Sequence, residues 1–119
     1  MQVGTQVTFR NMDRSEFVEA AALEKVAKLE SVVEKLTSCR VAIEALHRSH
    51  HKGHLYHVRI DVTLPGAELV VGNEGHDKQA HEDVYVALRD AFDAMTRMIR
   101  KTEDRRHDKT GAPKEAIAS

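Results

Sequence analysis

Five histidines crowd into the segment HRSHHKGHLYH, at His47, His50, His51, His54 and His57. Neutral imidazoles ligate zinc, copper and nickel, so the cluster raises the question of a metal site. A structural zinc site, however, draws on Cys and His pairs at set spacing. The only thiol is Cys39, and its place in an alternating run turns it toward a core. The histidines also straddle a strand-turn-strand pattern around Gly53. We therefore expect polar turn residues with no metal bound, and Lys52 among them placed to touch RNA backbone.

Lysines and arginines form the second constellation. Lys25 and Lys28 fall off the apolar stripe of one helical pattern, and Arg89, Arg97, Arg100 and Lys101 off that of another. Arg97 and Lys101 are four apart and Arg89 lies two turns earlier, which puts them on one side of a helix. Such bases pair with phosphate oxygens, Arg often through two parallel hydrogen bonds. If the two helices are neighbours, their bases frame a groove for phosphates. The competing reading is a solvated face with ion pairs to Glu24, Asp90 and Asp93.

Catalytic patterns are not found. GAELVVGNEG lacks the spacing of a phosphate-binding loop and no helix follows it directly. Ser15, Ser31, Ser38 and Ser49 lack a nucleophile-elbow context. Cys39 reads as a buried structural thiol. We expect neither enzymatic activity nor a cofactor, and no small-molecule substrate.

The bulk composition is consistent with this. The chain has 119 residues, 41% of them hydrophobic, which suits one domain with a modest core. Its formal net charge is −1, so nucleic-acid binding must rest on a local patch. The aromatics are Phe9, Phe17, Tyr56, Tyr85 and Phe92, too few for a surface that stacks single-stranded bases. A single cysteine excludes an internal disulfide and suits a reducing cytoplasm. Neither a signal peptide nor a membrane-spanning apolar run is present.

Secondary structure follows from periodicity. Val3, Thr5, Val7 and Phe9 alternate with polar neighbours and predict a strand. Asp13 with Glu16 resembles a capping box and opens a helix over 13–36, whose predicted apolar stripe is Phe17, Ala20, Ala21, Val26 or Ala27, Leu29, Val32, Val33 and Leu36. Cys39–Ala45 and Tyr56–Leu64 alternate as two more strands. Pro65-Gly66 fits the centre of a type II turn before a fourth strand with Leu69 and Val71 inward. A last helix begins near 81–83, with Val84, Leu88, Ala91, Phe92, Met95, Met98 and Ile99 as its stripe. Acids open it, and Arg97, Arg100 and Lys101 close it, the polarity that the helix dipole favours. The predicted fold is α+β in the order β-α-β-β-β-α, a four-stranded mixed sheet with both helices on one face, like a double-stranded-RNA-binding domain. Residues 1–102 form the domain, and 103–119 a charged, disordered tail.

Several segments together carry a family resemblance: TFRNMD, KVAKLE, TSCRVAIEA, HHKGHLYHVRIDVTLPGAELVV and HEDVYVALRDAFDAM. In this order and spacing, over about Val3 to Lys101, the chain resembles the ribosome hibernation-promoting factors and ribosome-associated translation inhibitors, in their short form. The resemblance implies the same fold. It implies a partner, the small ribosomal subunit with its 16S-type rRNA, bound in the channel of messenger and transfer RNA. It also implies translation inhibition in stationary phase or stress. Carried onto this chain, the rRNA contacts are Lys25, Lys28, Arg97 and Lys101, with Arg89 and Arg100 added on the chain's own pattern. His81 and Tyr85 match a family signature, and Tyr85 is expected mainly to pack. Ala94 departs from the family, which often carries a base there. Long members add a C-terminal dimerisation domain, for which 103–119 is too short. The alternative function is a free-standing double-stranded RNA-binding or regulatory partner protein.

Overall fold

The alternating residues build the sheet as expected. Cys39, Val41, Ile43 and Ala45 are all buried, as are Val58, Ile60, Val62 and Leu64 of the strand that pairs with them. The computed structural model describes residues 4–47, 54–72 and 82–110. Its strands are β1 (Gly4–Arg10), β2 (Ser38–His47), β3 (His54–Leu64) and β4 (Ala67–Val71). They pair in the order β1-β2-β3-β4. β1 runs parallel to β2 with Val7 opposite Val41; β2 and β3 are antiparallel with Val41 opposite Ile60. β3 and β4 are antiparallel with Val62 opposite Leu69. These registers place one apolar set on one face, because side chains alternate with a period of two.

Three backbone features fix the connections. Gly66 takes φ 78° beside Pro65, the positive angle that the third position of a type II turn requires. Asn11 takes φ 59°, and its Nδ2 donates to the Ala45 carbonyl at 2.8 Å, which ties the end of β1 to β2. Gly72, at φ 89°, passes against the Val58 backbone at the end of β4.

Helix α1 covers Glu16–Val32, shorter at both ends than the expected 13–36. Its cap is Ser15, not Asp13: the Ser15 hydroxyl accepts from the Val18 N–H at 3.3 Å. Asn11 turns the chain first, so the helix starts two residues later than the Asp13 pattern suggests. At the other end Val33 is extended and donates to the Leu29 carbonyl. Leaving the helix there lets both Val33 and Leu36 enter the core. The buried stripe is Val18, Ala22, Val26, Leu29 and Val33. Phe17, expected in the core, is 81% exposed, and Val32 is 56% exposed. The true stripe is rotated by one residue from the one that takes Phe17 as its anchor.

Helix α2 covers Val84–Thr110. Asp83 caps it, with Oδ1 accepting from the Tyr85 N–H at 2.8 Å. Leu88, Ala91, Phe92, Met95 and Ile99 are buried as expected, joined by Ala87. The helix continues through residues 103–110, where the charged run predicts a disordered tail. Arg97, Arg100 and Lys101 therefore lie within the helix and not at its end. The dipole argument, which acts only over the last turn, does not apply to them. No Gly or Pro interrupts the run from Val84 until Gly111 and Pro113, and Glu, Asp, Arg and Lys sustain a solvated helix.

Both helices lie on the same side. α1 packs on β1, α2 on β3 and β4, and the helices on each other. Their buried residues join the inward strand residues in one core. Among the described residues, no helix lies on the opposite face of the sheet.

Candidate nucleic-acid interface

The six expected contact residues sit in this helical layer. On α1, Lys28 is exposed and Lys25 half-buried, its aliphatic stem lying at the flank of the stripe. Three residues apart, they are neighbours on the helix surface. On α2, Arg89, Arg97, Arg100 and Lys101 are all exposed. Helical geometry sets Arg89 and Arg100 about 20° apart around the axis, and Arg97 and Lys101 about 40° apart. All four share an arc of roughly 120°, opposite the buried stripe. The structure thus places the bases in two groups on helices that pack against each other.

Acids share the α2 arc: Asp90, Asp93 and Asp104 are exposed there too. Arg89 donates to Asp90 Oδ1, at 3.3 Å from Nε and 3.2 Å from Nη2. Both side chains are about half exposed, so this pair is worth well under about 1 kcal/mol and leaves the guanidinium free to turn to a stronger acceptor. Ala94 is half-buried against the core, so a base there would have to lie over the packed surface.

Three sets of residues went unread in the sequence or were read differently. Tyr85 is 49% exposed and so only partly a packing residue. Phe17 projects from the first turn of α1, an exposed aromatic in the same layer as the bases. Arg10, Arg40 and Arg59 lie on the helix-free face, where strict alternation places them; that alternation was the available signal.

His57 is buried at 3% and belongs to β3, not to a polar turn. His47 and His54 pair in register across β2 and β3. His50, His51, Lys52 and His81 lie outside the described residues. Among the described residues no three His, Cys, Asp or Glu side chains converge on a metal position. Burial, helped by the charges of Asp61 and Glu30, pushes the Cys39 thiol up to about 12, so it stays protonated and unreactive near neutral pH. Among the described residues no helix is long and apolar enough to cross a membrane.

Solved structures share the architecture. A ribosomal subunit interface protein from Coxiella burnetii superposes with a TM-score of 0.70 at 13% identity, over 86% of this chain and 99% of that one. The N-terminal domain of Protein Y from Thermus thermophilus gives 0.64 at 18% identity, over 85% of this chain and 99% of that one. At these identities the likeness speaks for the fold. No protein of curated function matches the chain. Residues 5–107 match the family described as Sigma 54 modulation protein / S30EA ribosomal protein, across all six elements. The chain therefore belongs to this ribosome-associated family, the one that includes the hibernation-promoting factors.

Proposed function

We propose that the protein is a cytoplasmic hibernation factor that occupies the messenger and transfer RNA channel of the small ribosomal subunit and blocks translation during stationary phase or stress. The family match over residues 5–107 carries this reading. The exposed bases of α1 and α2 support it, because a protein with a formal net charge of −1 needs a local patch to hold RNA. The mechanism is steric. Lys25, Lys28, Arg89, Arg97, Arg100 and Lys101 engage rRNA phosphates, and the bulk of the domain excludes the other RNAs. No bond is made or broken, and no cofactor is needed.

Replacing Lys25, Lys28, Arg97 and Lys101 together with Ala should abolish cosedimentation with small subunits and leave the circular dichroism spectrum unchanged. Full cosedimentation by this variant would refute the contact assignment. The second reading, a free-standing double-stranded RNA-binding module, is suggested by the β-α-β-β-β-α order. Such a module grips bare A-form duplex by its shape. A hibernation factor should instead prefer the assembled subunit, so competition between duplex RNA and subunits separates the two.

A further inference from the structure

The sheet face without helices has a geometry of its own. Strand register sets Gln6 beside Arg40 and Arg40 beside Asp61. The next row runs Thr8, Ala42, Arg59, and the row after it begins with Arg10 beside Glu44. Thr8 and Ala42 are short and make a low floor, around which the longer side chains stand. The result is an open dip of about 290 Å³ lined by Gln6, Thr8, Arg10, Arg40, Arg59 and Asp61 around Ala42. With strands about 4.8 Å apart and alternate residues about 6.7 Å apart, the three arginines spread over roughly 14 Å.

The lining is electropositive. Arg10, Arg40 and Arg59 face a single carboxylate, Asp61. Arg59 Nε donates to Asp61 Oδ1 at 3.3 Å, with the two side chains 45% and 24% exposed. A pair so open to water is weak and can yield to a phosphate. Glu44 and Glu68 share the face but not the dip.

We propose that this dip is a second RNA-backbone contact, in which Arg10, Arg40 and Arg59 engage phosphates, so that the domain holds RNA on both its faces. The dip is open and polar, unlike the concave, mostly apolar pockets that enclose small molecules. It also lacks the apolar anchor position that dominates protein–protein interfaces. A charged polymer held at several points needs neither enclosure nor an anchor. The identity of the RNA as ribosomal rests on the function proposed above; the surface rests on the strand register alone.

The test is cosedimentation of the full chain with small subunits over a salt series. The variant R10Q/R40Q/R59Q should bind roughly tenfold or more weakly at moderate salt, and the slope of log K against log salt should flatten by about 2 to 3, one phosphate per arginine. D61N should bind several-fold more tightly, since it removes the competing acid. Thermal midpoints of both variants show whether each is folded. A folded triple variant with the affinity and slope of the wild type overturns the proposal. If the wild type does not bind subunits, the ribosomal reading falls, and the same proteins are titrated with single-stranded poly(U) RNA. There, a flatter slope for the triple variant upholds the dip; no binding, or an unchanged slope, overturns it.

Discussion

A methyl group at position 72 has no room. An ideal Cβ on Gly72 would lie 2.4 Å from the Val58 carbonyl oxygen and 3.1 Å from the Arg59 Cα, and φ is +89°. Both neighbours are backbone atoms of a central strand and cannot swing aside. Gly72→Ala should therefore cost roughly 2–4 kcal/mol, more than the usual penalty of a positive φ alone. Gly4 is the control: its Cβ would meet nothing nearer than 3.8 Å, and Gly4→Ala should lie within about 0.5 kcal/mol of wild type. Urea unfolding of the two variants checks this; equal midpoints would refute the close approach. The sequence shows Gly72 only as the start of a polar loop, because a contact with Val58 depends on how β3 and β4 pair. The Phe17 error has a similar origin. In FVEAAALEKV two apolar stripes overlap, and the bulkier residue suggested the wrong one. Packing selects the stripe through Val18, Ala22 and Val26, whose modest size lets α1 lie close to the sheet.

At the scale of elements, strands were far more legible than helix ends. Period-two alternation survives any change in neighbours, and Cys39 to Ala45 and Val58 to Leu64 are buried as that pattern requires. Helix ends depend on single side chains. DRSE offers two capping residues, and the Ser15 hydroxyl is the one that accepts from a helical N–H, that of Val18. Ser15→Ala should cost about 1 kcal/mol, while Asp13→Ala should change stability by less than about 0.5 kcal/mol. Thermal unfolding of the pair decides between the caps, and the reverse order of costs would restore Asp13. Arg14, bound to Glu19 at 2.7 Å, adds a lesser clamp over the same turn. The far end of α2 departs from expectation for a different reason. A charged run without apolar periodicity suggests disorder, yet Glu, Arg and Lys are good helix formers once an anchored helix lies before them.

Across the whole molecule, the layered architecture was readable because each strand has one apolar face, so both helices had to share one side. The helical bases were readable too, since their spacing is local. The arginine dip was not, because it draws one side chain from each of three strands, and only the pairing of Val7 with Val41 and Val41 with Ile60 brings them together. The outcome is a slab about 18 Å thick along its shortest axis, with bases on both broad faces. That shape suits lodging between two walls of nucleic acid better than resting on one.

The parallel edge strand has a consequence for how this slab opens. Among the described strands β1 pairs with β2 alone, and none of its seven residues is fully buried. It closes through the long α1 crossover, whereas β3 and β4 meet across Pro65-Gly66 at little entropic cost. The strand should therefore detach before the rest unfolds, and its amide protons should exchange with deuterium well ahead of those of β2 and β3. Equal protection in all three strands would show the edge to be as firm as the centre. Because Arg10 rides on β1 while Arg40 rides on β2 and Arg59 on β3, a polyanion gripping all three would staple the loosest strand to the firmest. Occupancy of the dip would then be legible as slowed exchange along β1, without any change of shape.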